Sequence, residues 1–318
     1  MNNPLHGYKA GMTWGWTGTR GTWATEEAMH SMEIMADKLA LNWVTIAFAA
    51  LQDHPQSTQI DFENAPTVTD DEVKNAIRKA KELGLQVCLK PVVNVRNGTW
   101  RAHIRFFDRD VPCEPKWSDW FQSYTRFIVH HARIAEETGC ELFCIGCEMV
   151  STDHREAEWR QLIAEVRKVY SGPITYNCDK YQEDHVSWWD AVDVISSSGY
   201  YPVDAWEENL DRIEAVVQAH GKPFFFIEAG CMSQEGSEFL PNDWSLKGTP
   251  SQEAQDAFYR AMFTACDKRP WVEGFMLWDW PALLPSAEAA PHTGGYYVYG
   301  KKAEETIQTY YREKLQNS

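Results

Sequence analysis

Pro223-Phe224-Phe225-Phe226-Ile227-Glu228 is the stretch of sequence that says most about the fold. Its four consecutive large apolar residues leave no polar face, a pattern typical of a parallel strand covered on both sides. Gly221 precedes the run, in the place of a left-handed helix cap in a loop that leads into a strand. The stretch therefore predicts a buried parallel strand that ends on a carboxylate.

Seven further short runs rich in β-formers alternate with longer amphipathic stretches. The predicted strands are 7–14, 42–48, 86–91, 141–148, 174–178, 192–197, 223–228 and 272–278. The predicted helices are 25–39, 69–83, 116–138, 155–170, a short one at 185–190, 205–220, 251–267 and 302–314. Eight strands alternating with eight helices predict an α/β fold, a single (β/α)8 TIM barrel spanning residues 1–318. A doubly wound open sheet is the alternative, but Gly15-Trp16-Thr17-Gly18 does not match the Gly-rich first turn of such sheets.

Composition limits the partners of the chain. Its 318 residues include 30 Lys and Arg against 46 Asp and Glu, which gives a net charge of −16. Nucleic acids and anionic membranes are polyanions, so this balance disfavours both as partners. No window approaches 18 uninterrupted apolar residues, and we therefore expect no membrane-spanning helix.

The cysteines and the N-terminal sequence bear on location. The eight cysteines show no spaced framework like that of small secreted domains, and several lie inside predicted strands. Met1-Asn2-Asn3-Pro4 has neither the basic nor the apolar region of a signal peptide. We expect a cytoplasmic location.

Two glutamates end predicted strands. In a (β/α)8 barrel the catalytic groups project from the C-terminal ends of the strands. Glu148 ends the fourth predicted strand and Glu228 the seventh, which lie across the barrel mouth from each other, so both carboxylates can converge on one cleft. A retaining glycosidase requires two carboxylates ~5–5.5 Å apart, one as nucleophile and one as acid/base. Two ordinary exposed or salt-bridged glutamates are the alternative.

Four segments at strand ends resemble glycoside hydrolase family 113, the β-1,4-mannanases of clan A. They are Gly11-Met12-Thr13-Trp14-Gly15, Ile145-Gly146-Cys147-Glu148, Phe226-Ile227-Glu228-Ala229-Gly230 and Leu277-Trp278-Asp279-Trp280. The resemblance covers essentially the whole chain in the same strand order. It implies a retaining endo-β-1,4-mannanase that acts on β-mannan or mannooligosaccharides and uses no cofactor or metal. It also implies that Glu148 is the acid/base and Glu228 the nucleophile, that Tyr200 donates a hydrogen bond to the nucleophile, and that Trp278 forms the floor under the cleaved sugar.

The sequence departs from the clan at one position. Many clan members have Asn immediately before the acid/base, where it contacts the sugar 2-hydroxyl, and Cys147 stands there in this chain. A thiol is a poor hydrogen-bond partner. We therefore expect Asn94 or Asn177 to bind that hydroxyl.

The 15 tryptophans are many, and several lie in polar, Gly-rich surroundings. Flat indole faces in such loops can stack on sugar rings. We expect eight residues to bind substrate, with the last two at outer subsites: Trp14, Lys90, Asn94, Trp100, Asn177, Trp278, Trp244 and Trp280.

Other functions fit less well. Cys140, Cys144 and Cys147 have the spacing of an iron–sulfur motif, but an extended segment between the first and last would span ~23 Å. Metal-dependent hydrolysis lacks an HExxH motif, and the pair His130-His131 falls in a predicted helix, where neighbours point apart. A retaining β-1,4-glucanase or xylanase of the same clan, or a non-catalytic barrel that binds oligosaccharides, remains an alternative.

Overall fold

The computed structural model describes residues 5–317. Residues 1–4, which entered the expectation of a cytoplasmic location, lie outside this range. The strands form a closed parallel barrel in which each strand pairs with the next and β1 pairs with β8. They are β1 (Lys9–Trp14), β2 (Trp43–Gln52), β3 (Gln86–Val95), β4 (Leu142–Cys147), β5 (Ile174–Cys178), β6 (Val194–Ser198), β7 (Phe224–Glu228) and β8 (Val272–Trp280).

Helices follow the strands around the outside of the barrel. They are α1 (Glu26–Leu39), α2 (Asp70–Glu82), α3 (Trp117–Thr138), α4 (Glu156–Arg167), α5 (Trp206–His220), α6 (Gln252–Cys266) and α7 (Lys302–Gln316). The predicted (β/α)8 barrel is confirmed. Among the described residues, no helix is long and apolar enough to cross a membrane.

The short helix predicted at 185–190 is wrong, because this segment forms two single 3-10 turns, Glu183–His185 and Trp189–Ala191. Trp188 and Trp189 are neighbours, yet both indoles are fully buried. Each indole N–H donates to a backbone carbonyl, that of Asp153 at 3.0 Å and that of Glu183 at 2.8 Å. An amphipathic α-helix would turn one of two adjacent side chains away from the core.

Strand β7 shows why the apolar run decides the fold. All five of its residues are buried. Phe225 and Ile227 pack inside the barrel with residues of other strands, while Phe224 and Phe226 pack in the outer core beneath the helices. Alternation along a strand sends successive side chains to opposite faces, so both faces of β7 are covered.

The same alternation separates the cysteines that resemble an iron–sulfur motif. Cys140 packs in the outer core, whereas Cys144 packs inside the barrel. All eight cysteines of the chain are free thiols. The three motif thiols therefore do not face one point.

Trp14 and Trp280 lie in the outer core, and the prediction that they bind sugar is wrong. Both indoles are fully buried. Trp14 packs on Trp23 with ring centroids 5.0 Å apart. Trp280 donates its indole N–H to the Ser31 carbonyl at 3.1 Å. Both side chains therefore attach strand ends to the helical layer.

Candidate active site

A cleft of about 810 Å³ opens at the C-terminal ends of the strands. Ligand pockets usually have ~300–1,000 Å³. Seven of the predicted site residues line this cleft: Asn94, Trp100, Glu148, Tyr200, Glu228, Trp244 and Trp278. The barrel thus brings both predicted catalytic glutamates to one cavity.

Glu228 is the last residue of β7, and donors surround its carboxylate. Its Oε2 accepts a hydrogen bond of 2.8 Å from the Tyr200 hydroxyl, the contact that the sequence analysis anticipated. Its Oε1 accepts a short hydrogen bond from Lys90 Nζ and a weaker one of 3.3 Å from Cys147 Sγ. These contacts fix the orientation of the carboxylate.

The charge state of Glu228 follows from its neighbours. Burial by itself raises the pKa of Glu228, but the ammonium of Lys90 and the guanidinium of Arg101 lower it further than burial raises it. Its pKa therefore lies below the ordinary value of a glutamate. Burial also lowers the pKa of Lys90, yet the Glu228 carboxylate beside its ammonium helps to hold that pKa above the ordinary value of a lysine. Glu228 is thus an anion and Lys90 a cation at neutral pH.

Lys90 and Asn177 lie beneath the cleft, and the prediction that they bind sugar is wrong. Both side chains are fully buried. Asn177 Oδ1 accepts a hydrogen bond of 2.7 Å from Lys90 Nζ, while Asn177 Nδ2 donates to the Cys178 carbonyl and to Ser198 Oγ. The amide has no position left for a sugar hydroxyl. Of the two asparagines, Asn94 alone lines the cleft.

Cys147 occupies the position of the clan's asparagine and faces Glu228. Its thiol contacts Glu228 Oε1 and, at 3.4 Å, Asn177 Oδ1. Burial raises the pKa of the Cys147 thiol well above its ordinary value, so the group is a neutral S–H donor. The residue supports Glu228 from below.

Glu148 directly follows β4 with φ 52°, a left-handed conformation that non-glycine residues rarely adopt. Its Oε1 accepts a hydrogen bond of 2.9 Å from Ser198 Oγ. Its Oε2 accepts hydrogen bonds from Arg101 Nη1 at 3.2 Å and Trp100 Nε1 at 3.3 Å. Donors on both oxygens hold the carboxyl in one orientation. Strained backbone of this kind is common at active sites.

Aromatic side chains form two pairs in the cleft. Trp16 and Trp278 lie with ring centroids 5.3 Å apart, and Trp100 and Trp244 with centroids 6.0 Å apart. Trp244 is exposed at the rim. The Arg101 guanidinium lies 5.7 Å from the Trp16 ring. These flat faces suit a sugar chain.

Trp16, Arg101 and Asp279 also line the cleft, and Ser198 supports Glu148 with a hydrogen bond. Trp16 and Arg101 each lie close to a tryptophan that was predicted, in the same polar-aromatic segment. That clustering was a usable signal for both. The sequence has no comparable signal for Ser198, which acts through one hydrogen bond to Glu148.

A group that could hold a metal lies away from the cleft. Asp70, His130 and His131 bring one possible ligand atom each to within 4.8 Å of one another. The expectation that the two histidines point apart is wrong, since their ring centroids lie 4.9 Å apart. Both rings pack against Phe62. None of the three lines the cleft, so they have no part in its chemistry.

Comparison with known proteins identifies the family. The family model of glycoside hydrolase family 113 matches residues 12–301. The chain belongs to glycoside hydrolase family 113. This family 113 enzyme is 52% identical to a β-1,4-mannanase of the same family, with 96% of this chain and 99% of that chain covered and a TM-score of 0.95.

A second relative is the β-mannanase AaManA from Alicyclobacillus acidocaldarius, solved in complex with ManMIm. It is 46% identical, with 98% of this chain and 99% of that chain covered and a TM-score of 0.94. A β-glucuronidase from Ruminococcus gnavus is 14% identical, with 97% of this chain and 50% of that chain covered and a TM-score of 0.65, so this likeness concerns the fold alone. A search of curated protein sequences gives no match.

Trp14 and Trp16 give a matched pair of substitutions. Trp14→Ala leaves a cavity in the outer core, and we expect it to lower the free energy of unfolding by ~3–5 kcal/mol without changing KM. Trp16→Ala removes a cleft face, and we expect roughly tenfold higher KM, or ~1.4 kcal/mol, with little loss of stability. Urea unfolding and steady-state kinetics measure both. A Trp14→Ala variant of normal stability and raised KM would place Trp14 in the cleft.

Lys90 controls the ionisation of Glu228. Lys90→Met removes the cation that lowers the pKa of Glu228, so this pKa should rise. As the expected nucleophile, Glu228 must be ionised, so activity should be lost as pH falls through this pKa, and the acid limb of the kcat/KM profile should move to higher pH. Lys38→Met, at a surface ion pair with Glu304, is the control and should leave the limb in place. An unmoved limb in Lys90→Met would contradict the assignment.

Proposed function

We propose that this enzyme hydrolyses β-1,4-mannosidic bonds within mannans and mannooligosaccharides with retention of anomeric configuration. The observation that carries the proposal is the pair of carboxylates in one cleft, with Glu228 held as an anion by Lys90. Support for mannosides comes from the family and from its solved relatives, which are named β-mannanases.

In the first step, the Glu228 carboxylate attacks the anomeric carbon of the bound sugar. The glycosidic bond breaks, and Glu148 gives its proton to the leaving oxygen. The product is a glycosyl ester on Glu228 together with the shortened chain, which leaves with the transferred proton. Tyr200 and Lys90 keep the carboxylate oriented up to the moment of attack.

In the second step, Glu148 is a carboxylate and acts as the base. It takes a proton from water, whose oxygen attacks the anomeric carbon and releases Glu228 as the carboxylate. Ser198, Arg101 and the indole N–H of Trp100 donate to Glu148 and stabilise its anionic form between the two steps. The two inversions at one carbon give net retention. The sequence consumes one water molecule and needs no other reactant.

We infer the roles of the other cleft residues from their positions around the two carboxylates. Trp278 lies beneath the sugar at the cleavage point, and the Lys90 ammonium is 5.7 Å from its ring. Of the two asparagines expected to bind the 2-hydroxyl, Asn94 takes this role, since it lines the cleft and Asn177 is fully engaged. Trp100 and Trp244 extend the binding surface toward the rim. The cleft volume of about 810 Å³ suits a short oligosaccharide segment.

We also propose that the enzyme works in a reducing compartment, the cytoplasm. The eight free cysteines support this location, and Cys113 among them is exposed. An exposed thiol is prone to oxidation outside a reducing environment. An enzyme located there would meet oligosaccharides small enough to be imported.

Substrate preference tests the sugar assignment. β-1,4-linked manno-, gluco- and xylo-oligosaccharides of equal length are incubated with the enzyme and followed by chromatography. We expect kcat/KM for the manno-series to exceed that for the gluco- and xylo-series on the order of 100-fold. A site that binds an axial 2-hydroxyl leaves its polar groups unpaired when the 2-hydroxyl is equatorial. Equal cleavage of the gluco-series would contradict mannoside specificity but not glycoside hydrolysis.

Azide rescue tests the roles of the two glutamates. Glu148→Ala and Glu228→Ala should each lower kcat on mannooligosaccharides by ~10²–10⁴-fold or more. With an aryl β-mannoside and azide, Glu148→Ala should yield the β-mannosyl azide, since azide attacks the glycosyl-enzyme. Glu228→Ala should yield the α-mannosyl azide, since azide replaces the nucleophile. Glu137→Ala, at the surface, is the control, and exchanged anomers in the two variants would reverse the roles.

A further inference from the structure

Asp279 is a cleft residue that the mechanism above does not use. It immediately follows Trp278 near the end of β8 and lines the same cleft. It is 7% exposed. Its carboxylate oxygens keep some contact with solvent, and the residue lines the cleft, so the carboxylate opens on the cleft.

Within residues 5–317, no hydrogen bond or ion pair holds this carboxylate. Lys301 is the cation that acts on it through charge, but the Lys301 ammonium donates to the Gly295 carbonyl at 3.1 Å and lies 3.7 Å from the centroid of the Tyr297 ring. Burial raises the pKa of Asp279, Lys301 lowers it and Glu228 adds to the increase, and together they bring this pKa to about 7. A nearly buried carboxylate without donors is costly.

Carboxylates with a structural role in this chain have different surroundings. Buried Glu72 accepts hydrogen bonds from the backbone N–H groups of Gly21 and Trp23 at 2.8 and 3.1 Å. Buried Glu183 accepts hydrogen bonds from Ser197 and Tyr201 at 2.6 and 2.8 Å. Asp279 has no such partner among the described residues and ties no loop or helix in place, so its oxygens are free to accept hydrogen bonds from a ligand in the cleft.

We propose that Asp279 binds the sugar that lies on Trp278, accepting hydrogen bonds from one or two of its hydroxyl groups. The inference rests on the proposed function, because a sugar on Trp278 is part of it. A carboxylate is an acceptor only, with two oxygens that can each take an O–H donor. Neighbouring hydroxyls of a pyranose supply two such donors, and charge-assisted O–H···O⁻ bonds are short and strong. Asp279 thereby selects a neutral sugar, since a substrate carboxylate there would face both Asp279 and Glu228.

A substrate–variant cycle tests the assignment. The parent substrate is 4-nitrophenyl β-1,4-mannobioside, and three analogues lack the 2-, 3- or 6-hydroxyl of the mannosyl unit that carries the nitrophenyl group. With the parent, we expect Asp279→Asn and Asp279→Ala to lower kcat/KM on the order of 100-fold. With at least one analogue, the kcat/KM values of wild type and variants should agree within about threefold. A hydrogen bond already removed from the substrate cannot be lost again in the variant.

A purely structural role would give a different result. The ratio of the wild-type kcat/KM to the variant kcat/KM would then be the same for the parent and all three analogues. This outcome would overturn the proposal. Thermal unfolding shows which variants are folded, and the use of both Asn and Ala leaves a second variant if one is not. Asp243→Asn is the control. Asp243 precedes Trp244 and accepts a hydrogen bond from Ser245, and this variant should have the kcat/KM of wild type with every substrate.

Failure of the proposed function is a distinct outcome. In that case wild-type enzyme would leave the parent mannobioside intact and cleave the corresponding cellobioside. The same cycle would then use the deoxy analogues of the cellobioside. If the ratio of wild-type to variant kcat/KM were equal for all substrates of that series, the role of Asp279 would be overturned. A ratio that falls to within about threefold of one for a single analogue would support it.

Discussion

The buried ion pair between Lys90 and Glu228 is the interaction on which the rest of the site depends. Removing both charges from water is expensive, and the pair is tolerated only where further hydrogen bonds satisfy its remaining donors and acceptors. Tyr200, Asn177 and Cys147 supply them. These five groups come from the third to the seventh strands or the residues that follow them. The closed barrel brings these strand ends together beneath one cleft, so the fold and the ionised state of Glu228 are linked.

The two glutamates sit in contrasting surroundings although both end strands. Glu228 is bonded to a fully buried cation, whereas Glu148 is bonded to Arg101, Ser198 and the Trp100 indole beside the cleft. The first arrangement holds Glu228 as an anion in the free enzyme. The second arrangement leaves Glu148 beside the cleft among neutral and charged donors, in the position expected of the acid/base. The same residue type thus meets two different environments at two strand ends.

The architecture was predictable from sequence because strands buried on both faces carry continuous apolar runs, as in β7. The two glutamates were predictable for a related reason, since a carboxylate at the end of such a run is unusual. Side-chain direction was not predictable. Trp14 points into the outer core and Trp16 into the cleft, although only one residue separates them. Lys90 was placed at a strand end, but β3 continues to Val95, so Lys90 lies beneath the cleft and Asn94 lines it.

Covalent trapping identifies the residue that attacks the anomeric carbon. A 2-deoxy-2-fluoro-β-mannosyl fluoride forms the glycosyl-enzyme faster than the ester is hydrolysed, and mass spectrometry of the digested protein locates the attached sugar. We expect one fluoromannosyl group, carried by the peptide that contains Glu228 and absent from the Glu228→Ala variant. Attachment at Glu148, or an inverted α-product released without any adduct, would contradict this expectation.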